Sequence, residues 1–146
     1  MVVLSIDPGE MTGISVVDWS DRDTPKKIET CELDIKSFYD RIEDLVKSSD
    51  VVVMENFIVS VASAKKNFKP ASLHLIGLVG YLCYHNTKKL VMQDPLDREF
   101  TPNEVIKELK LWHRGGAGHA NQASRHAFYY MAMSHRPLAK LVLDTV

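Results

Sequence analysis

Val51 to Met54 is a continuous apolar run that lies between two acidic residues, Asp50 and Glu55. A short run of this kind, rich in β-branched side chains, is typical of a strand that is buried on both faces of a sheet. Such a strand needs helices on both sides of its sheet. The run therefore predicts an α/β fold, and it places the carboxylate of Glu55 at the end of a central strand.

The first residues of the chain predict a second buried strand. An apolar run ends at Asp7, and the turn dipeptide Pro8-Gly9 follows at once. The apolar pattern resumes over residues 14–17, which predicts a strand that pairs back on the first through a short connection. Residues 26–33 alternate well enough to form a third strand. We therefore expect three antiparallel strands at the start of the fold.

The rest of the chain predicts helices and two further strands. Apolar residues recur at helical spacing from Ile35 onward, and the central strand ends at Glu55. Further elements are predicted as helices over 71–85, 101–112 and 119–133 and a last strand over 90–92; Thr101 is the expected N-cap of the second of these helices. The expected fold is a mixed five-stranded sheet flanked by helices, in a single domain over residues 1–146.

Composition limits the class of protein. The chain has 146 residues, of which 45% are hydrophobic and 25% charged, which is ordinary for one globular domain. No apolar stretch is long enough to cross a bilayer, and the start of the chain lacks the pattern of a secretory leader. Cys31 and Cys83 lie in apolar-rich surroundings. We therefore expect a cytoplasmic protein without disulfides, and the net charge of −1 neither demands nor excludes DNA as a partner.

Asp7 and Glu55 both end predicted strands of the sheet centre. The carboxyl ends of parallel strands share one edge of a sheet, where ligands bind in open α/β folds. Each residue also has an ordinary interpretation, an Asx-turn for Asp7 and a solvated strand end for Glu55. Two carboxylates directed together repel each other unless a cation lies between them. We therefore favour a site for Mg²⁺ or Mn²⁺ at this edge.

Two basic groups are candidates for contacts with DNA phosphates. Phe68, in the first group, is a candidate to stack on an unpaired base; the ordinary interpretation of that group is solvated lysines beside a buried ring. The acidic residues of the loop at 94–99 are expected to be solvated. The first basic group contains Lys65, Lys66 and Lys69 around Phe68, and the second contains Lys107, Lys110 and Arg114.

The helix that begins at His119 carries polar residues at helical spacing. His119, Gln122 and His126 are three and four positions apart, so they project near one line along the helix. We expect the first turn of this helix to face the two carboxylates. A structural role for these side chains remains the competing interpretation.

Taken in order, these motifs resemble the RuvC family of Holliday junction resolvases, in the RNase H-like superfamily. The resemblance rests on Ile6-Asp7-Pro8-Gly9 with Thr12-Gly13, on Met54-Glu55, and on His119-x-x-Gln122-Ala123. It spans nearly the whole chain. The run from His119 to Ala127 is especially similar to phage-encoded members, which suggests a bacteriophage origin and, with it, the cytoplasm of a bacterial host.

The resemblance implies an Mg²⁺- or Mn²⁺-dependent endonuclease that acts as a homodimer and cuts four-way or other branched DNA junctions. The family pattern has four metal-site positions, which fall on Asp7, Glu55, His119 and Gln122. The fourth position is normally Asp. Because Gln122 offers an amide oxygen without negative charge, a two-metal arrangement of these catalytic residues becomes doubtful.

Two other functions stay open at this point. The first is a catalytically weak protein of the same fold that binds branched DNA. The second is the actin-like superfamily of sugar kinases and ATPases, which the length of the chain disfavours because those proteins need two such domains. The helix over 71–85 is apolar nearly all round, so we expect it to form the homodimer interface.

Overall fold

The computed structural model describes residues 1–57, 62 and 70–145. Five strands form one mixed sheet in the order β3-β2-β1-β4-β5. The first three strands are antiparallel, whereas β4 runs parallel to β1 and β5 runs parallel to β4. This arrangement confirms the predicted sheet. The strands are β1 (Val2–Asp7), β2 (Met11–Asp18), β3 (Lys26–Asp34), β4 (Val51–Glu55) and β5 (Lys89–Gln93).

Helices cover both faces of this sheet, as the apolar pattern of β4 predicts. A 3-10 helix at Asp97–Phe100 follows β5 and leads toward the third α-helix. The α-helices in the described part of the chain are α1 (Ile35–Lys47), α2 (Ala71–His85), α3 (Asn103–Glu108), α4 (His119–Ala132) and α5 (Arg136–Thr145).

The sheet separates two apolar cores. Val52 and Met54 of β4 point into the core under α1 and α2, whereas Val51 and Val53 point into the core under α3, α4 and α5. Successive side chains of a strand point to opposite faces, so a central strand between two helical layers must be apolar at every position. Burial of both faces fixes the position of β4 beside β1, and with it the position of Glu55.

The helix predicted from Thr101 to Trp112 is wrong in both its start and its length. The helix at this place is α3, and Pro102 with extended backbone precedes it as the N-cap residue, without a side-chain cap. The Thr101 hydroxyl is turned away and donates to the carbonyl oxygen of Arg125 at 3.4 Å. Lys110 has a left-handed φ of 59°, which ends the helical path early and turns Leu111 into the core.

Helix α2 buries only part of its apolar surface within this chain. Leu75 and Val79 are buried in the core, whereas Leu73, Tyr81 and Tyr84 are exposed, Tyr84 by 87%. The homodimer expected from this helix remains a prediction.

Both cysteines have free thiols. Within the described ranges, no helix has the length and the apolar character that crossing a membrane requires.

Candidate active site

Asp7 and Glu55 lie side by side because they end two paired strands. The parallel register joins Ile6 of β1 to Met54 of β4, and each carboxylate is the next residue along its strand. Both side chains line a cavity of about 240 Å³ at the carboxyl edge of the sheet. Asp7 is only 8% exposed. The structure thus brings together the two carboxylates on which the predicted metal site depends.

His119, the first residue of α4, lies directly beside Asp7. Its Nδ1 is 3.0 Å from Oδ2 of Asp7, so the two side chains share a hydrogen bond. Gly118, with a left-handed φ of 96°, precedes the helix and turns the chain into it. His119 also lines the cavity. The expectation that the first turn of this helix faces the carboxylates agrees with this geometry.

Gly13 lets α4 approach the sheet closely at this point. Gly13 is the cross-strand partner of Asp7 in the β1–β2 pair. A Cβ atom on Gly13 would lie 2.0 Å from the carbonyl oxygen of His119, far inside contact distance. Only a glycine therefore allows the main chain of His119 to rest against β2 at the level of Asp7, which is how the imidazole reaches the carboxylate.

Glu32 of β3 caps the start of α4, although it is 87 residues away from His119 in the sequence. Its carboxylate accepts hydrogen bonds from the amide groups of Ala117 at 2.9 Å and His119 at 2.8 Å. Burial raises the pKa of Glu32, but these amide hydrogen bonds outweigh burial and hold the pKa below its usual value. Helix α4 has no side-chain N-cap of its own, so Glu32 supplies that function from the sheet.

Glu55 is surrounded by hydrogen-bond donors. His126 is fully buried, and its Nε2 lies 2.6 Å from Oε2 of Glu55. Nη1 of Arg98 donates to the same oxygen. Burial raises the pKa of Glu55, but the hydrogen bonds from His126 and Arg98 and the positive charge of Arg98 lower it by more. Glu55 therefore remains ionised to a lower pH than a free glutamate does.

Asp7 has the opposite electrostatic environment. Burial raises the pKa of Asp7, and the negative charge of Glu55 raises it further. The hydrogen bond from His119, the charge that His119 carries when it is protonated, and the positive charge of Arg98 lower the pKa of Asp7, but they do not cancel the rise. A carboxylate whose ionised form is disfavoured by burial and by a like charge gains most when a cation binds beside it. Asp7 is thus the stronger candidate to bind a cation.

Gln122 lines the same cavity one turn along α4 from His119. Its Oε1 accepts a hydrogen bond from Nη1 of Arg125 at 3.1 Å. Arg125 is itself fixed, because its Nε donates to the carbonyl oxygens of Thr101 at 2.7 Å and Arg98 at 3.1 Å. The amide of Gln122 is therefore part of a hydrogen-bond network in the wall of the cavity as well as a candidate ligand within it.

The structure places only part of the candidate DNA-binding set. Lys107 lies over the ring of Trp112, with Nζ 4.8 Å from the ring centre, so its charge is held by a cation–π contact. Trp112 lines a groove of about 390 Å³ that shares Gly118 and Gln122 with the cavity. Lys110 and Arg114 lie in the segment that leads from α3 to this groove. Lys65, Lys66, Phe68 and Lys69 lie outside the described residues.

Three residues that contribute to the site were not identified from the sequence: Glu32, Gln93 and Arg98. His126 was predicted to share a line with His119 and Gln122, in either a functional or a structural role; its Nδ1 lies 2.6 Å from Oε1 of Gln93, so it links β5 to Glu55. Arg98 belongs to the loop that was expected to be solvated. A lone basic residue among Asp97, Glu99 and Asp94 was the available signal for Arg98. Glu32 had none, because its partners are main-chain amides distant in sequence.

The donor set fits one divalent cation. The hydrogen bonds from His119, His126 and Arg98 go to Oδ2 of Asp7 and Oε2 of Glu55, which leaves the second oxygen of each carboxylate without a hydrogen-bond partner among the described residues. Two carboxylate oxygens with an amide or imidazole nearby suit Mg²⁺ or Mn²⁺. In the ranges 1–57 and 70–145, no three His, Cys, Asp or Glu side chains already surround one point as metal ligands.

Comparison with known proteins finds this fold in solved structures. The chain is similar to Thermus thermophilus RuvC in complex with a Holliday junction substrate, with a TM-score of 0.65, 18% identity, and coverage of 92% of this chain and 95% of that one. A second Thermus thermophilus RuvC structure gives a TM-score of 0.67, 17% identity, and coverage of 92% and 97%.

A third structure extends the likeness to a eukaryotic protein. The yeast mitochondrial Holliday junction resolvase Ydc2 gives a TM-score of 0.58 and 11% identity, with coverage of 94% of this chain and 82% of that one. No family model and no curated protein sequence matches the chain. At these identities the likeness concerns the fold. The chain has the RNase H-like fold, a mixed five-stranded sheet with helices on both faces, that it shares with RuvC.

Proposed function

We propose that this protein is a metal-dependent endonuclease that hydrolyses phosphodiester bonds in four-way or other branched DNA junctions. One observation carries the proposal: Asp7 and Glu55 end paired central strands and line one cavity together with His119. The solved proteins that share this fold include resolvases, one of them bound to a Holliday junction substrate. The fold and the position of the carboxylates together support the same chemistry.

The residues of the cavity have separate tasks in this proposal. Asp7 and Glu55 would hold the cation, Mg²⁺ or Mn²⁺, through the oxygens that accept no hydrogen bond from a described residue. A divalent cation bound there lowers the pKa of a water molecule and offsets negative charge on the phosphate. His119 holds Asp7 in place through Nδ1 and lines the cavity, where it can orient a water or serve as a ligand. Gln122 is the fourth candidate for the catalytic set.

The DNA lies, in this proposal, across the cavity and the neighbouring groove that Trp112 lines. Lys107, Lys110 and Arg114 contact phosphates on this side. Lys65, Lys66 and Lys69 contact phosphates from the segment that follows β4, where Phe68 stacks on an unpaired base. Phosphate contacts and the bent shape of a junction supply most of the recognition.

A homodimer through the exposed face of α2 presents two such sites to a symmetric junction. We further propose a bacteriophage origin and function in the bacterial cytoplasm.

Cleavage and binding measured on one synthetic four-way junction test this function. Wild-type protein is expected to cut the junction with Mg²⁺ or Mn²⁺. Asp7→Asn is expected to lose at least about a thousandfold in cleavage rate, since a lost metal ligand removes several kcal/mol of transition-state stabilisation. Junction binding by Asp7→Asn stays intact or becomes stronger, because one negative charge near the phosphates is gone. Full cleavage by Asp7→Asn would rule out this site.

A second function, binding of branched DNA with weak or no cleavage, is favoured by a specific observation. Gln122 brings no charge to the fourth position, and Glu55 already has the guanidinium of Arg98 as a counter-ion. The same experiment separates the two functions, because a binding protein would retain the junction at all metal concentrations without cutting it. Light scattering at micromolar concentration tests the dimer independently of either function.

Gln122→Asp tests the metal site through the direction in which the metal requirement for cleavage changes. The substitution adds an anionic oxygen and is expected to lower the metal concentration that gives half-maximal cleavage, more for Mg²⁺ than for Mn²⁺. His119→Ala is expected to raise it. If Gln122 only orders Arg125, then Gln122→Asp leaves the midpoint of the metal titration unchanged, and Asp7, Glu55 and His119 alone hold the cation.

A further inference from the structure

Arg98 brings a positive charge into the cavity that holds the two carboxylates. It lies on the 3-10 helix after β5, and its side chain is 25% exposed. Nη1 donates to Oε2 of Glu55, and the guanidinium lines the cavity together with Asp7. The negative charges of both carboxylates also act on this guanidinium, because Asp7 and Glu55 each raise the pKa of Arg98. Arg98 is therefore a cation of the site itself.

The main chain of Arg98 is anchored, so the guanidinium extends from a fixed point. Its carbonyl oxygen accepts a hydrogen bond from Nε of Arg125 at 3.1 Å and another from the amide of Thr101 at 3.0 Å. Nη2 of Arg98 has no hydrogen-bond partner among the described residues, and its buried Nε has none either, with the nearest acidic oxygen, Oε1 of the exposed Glu99, 3.6 Å away. An arginine held in this way retains N–H groups for a further anion, and the planar fork of a guanidinium matches a phosphate.

The charges in the cavity limit how many metal ions it can hold. With Asp7 and Glu55 ionised and His119 and His126 neutral, Arg98 leaves a single net negative charge, and a proton on either histidine would remove it. One divalent ion turns this into a single positive charge, whereas a second divalent ion would have to enter a site that is already positive. Like charges at close range disfavour that step strongly in a partly buried site. The cavity is therefore suited to one divalent ion beside Arg98.

We propose that Arg98 is the second cation of this site: the protein binds one divalent ion, and the Arg98 guanidinium contacts the phosphate of the DNA strand that occupies the cavity. This inference rests on the proposed function. It gives Arg98 the electrostatic task that a second metal ion would otherwise have, and it accounts for a glutamine in place of an acidic residue at position 122, because a site with one metal ion needs fewer anionic ligands.

Titration of the DNA-free protein with Mn²⁺, followed by electron paramagnetic resonance and calorimetry, tests the first part. Wild type is expected to bind one Mn²⁺ per chain. Arg98→Gln is expected to bind Mn²⁺ about tenfold more tightly or better, since it removes a like charge a few ångströms from the ion. Arg98→Lys keeps the charge and stays near wild type. Arg22→Gln, which removes an exposed arginine in the β2–β3 connection, is the matched control and leaves the affinity unchanged.

Binding of the four-way junction in metal-free buffer tests the second part. Arg98→Gln is expected to weaken binding and to reduce the slope of log affinity against log salt by about one, as the loss of one phosphate contact does. Arg98→Met repeats both measurements if Arg98→Gln does not fold. The metal part is overturned if both neutral variants bind Mn²⁺ with unchanged or weaker affinity, or if wild type binds two Mn²⁺ ions with similar affinity. The phosphate contact is overturned if the salt slope does not change.

Failure of this inference can be told apart from failure of the proposed function. The metal titration contains no DNA, so its outcome does not depend on cleavage. A wild-type protein that binds one Mn²⁺ but does not cut any junction would refute the nuclease and still support Arg98 as the competing cation. A protein that cuts junctions with two bound Mn²⁺ ions would support the nuclease and refute the assignment of Arg98.

Discussion

Asp7 and Glu55 end neighbouring strands of one sheet, yet the protein surrounds them in different ways. The Asp7 side is shaped by the main chain, because Gly13 admits the start of α4 and Glu32 caps it. The Glu55 side is held by side chains, with Arg98 and the buried His126 bonded to one carboxylate oxygen. Accordingly, the pKa of Asp7 is raised and the pKa of Glu55 is lowered.

This difference assigns different roles to two residues that look equivalent in sequence. Glu55 already has positive charge beside it, so its ionised form contributes to the stability of the fold. Asp7 lacks sufficient compensation, so its ionised form is costly until a cation from outside binds. In the proposed function, the Asp7 side would therefore set the affinity for metal, whereas the Glu55 side orders the wall of the cavity. Four substitutions or conditions separate these roles.

The largest effect is expected from a comparison of Glu55→Gln with Asp7→Asn in metal-free protein. Glu55→Gln leaves Arg98 and His126 without their carboxylate and should lower the free energy of unfolding by about 3 kcal/mol, as for a broken, largely buried ion pair. Asp7→Asn removes a poorly compensated charge and should leave stability unchanged or slightly higher. Urea unfolding with EDTA measures both, and equal losses in the two variants would contradict the distinction.

Gly13→Ala tests how the Asp7 side is shaped. The new Cβ would meet the carbonyl oxygen of His119 at 2.0 Å, so α4 must move. We expect a loss of about 2 kcal/mol, typical of an overpacked contact that cannot relax by rotating a side chain. Gly77→Ala on α2 is the control, since no atom lies within 4 Å of its added Cβ. The control should gain up to about 1 kcal/mol from helix propensity.

Glu32→Gln weakens the cap on α4 without removing its side chain. The substitution replaces a charged acceptor of three amide hydrogen bonds, from Ala117, His119 and Ala120, by a neutral one. We expect a loss of about 1 kcal/mol, the usual size for an N-cap. Hydrogen exchange of the amides of Ala117 and His119 should speed up, while Glu104→Gln on the exposed face of α3 should leave it unchanged. Unchanged exchange in Glu32→Gln would show that the cap does not hold the helix start.

The smallest expected effect is a difference in the slope of stability against pH in EDTA. For Asp7, whose pKa is raised from 3.8, the folded chain keeps a proton that the unfolded chain releases, so stability falls as pH rises from 3.8 through the raised pKa. For Glu55, whose pKa is lowered from 4.5, stability is lost as pH falls through the lowered pKa. We compare the free energy of unfolding of wild type with that of each variant. The difference between wild type and Asp7→Asn should therefore change with pH in the opposite direction to the difference between wild type and Glu55→Gln. Asp40→Asn, on the surface of α1, is the control.

The sequence predicted the sheet well because its signals are local. Alternation and apolar runs of a few residues place each strand, and the run at 51–54 shows burial on both faces, which then sets Asp7 next to Glu55 through parallel pairing. The resemblance to RuvC added His119 and Gln122, which the structure brings to the same cavity. Local patterns and family motifs thus predicted the fold and four of the residues that line the cavity.

What the sequence could not provide depends on contacts between distant residues. Arg98 and Glu55 are 43 positions apart, and Glu32 and His119 are 87 apart, so no local pattern links them. The N-cap expected at Thr101 failed for a related reason. The local capping pattern was present, but the main chain and hydroxyl of Thr101 are instead bonded to Arg125 of α4. Tertiary packing decided the outcome at both places.

The long separation between Asp7 and His119, 112 positions along the chain, also has a consequence for the order of events during synthesis. A ribosome releases β1 and β4 well before α4, and non-local contacts form late in folding because their loop closure is costly. Until α4 docks, Asp7 lacks the imidazole and the wall that complete its cavity. The proposed metal site would therefore be completed by the docking of a single helix, and an unfinished chain has the carboxylates but no assembled cavity.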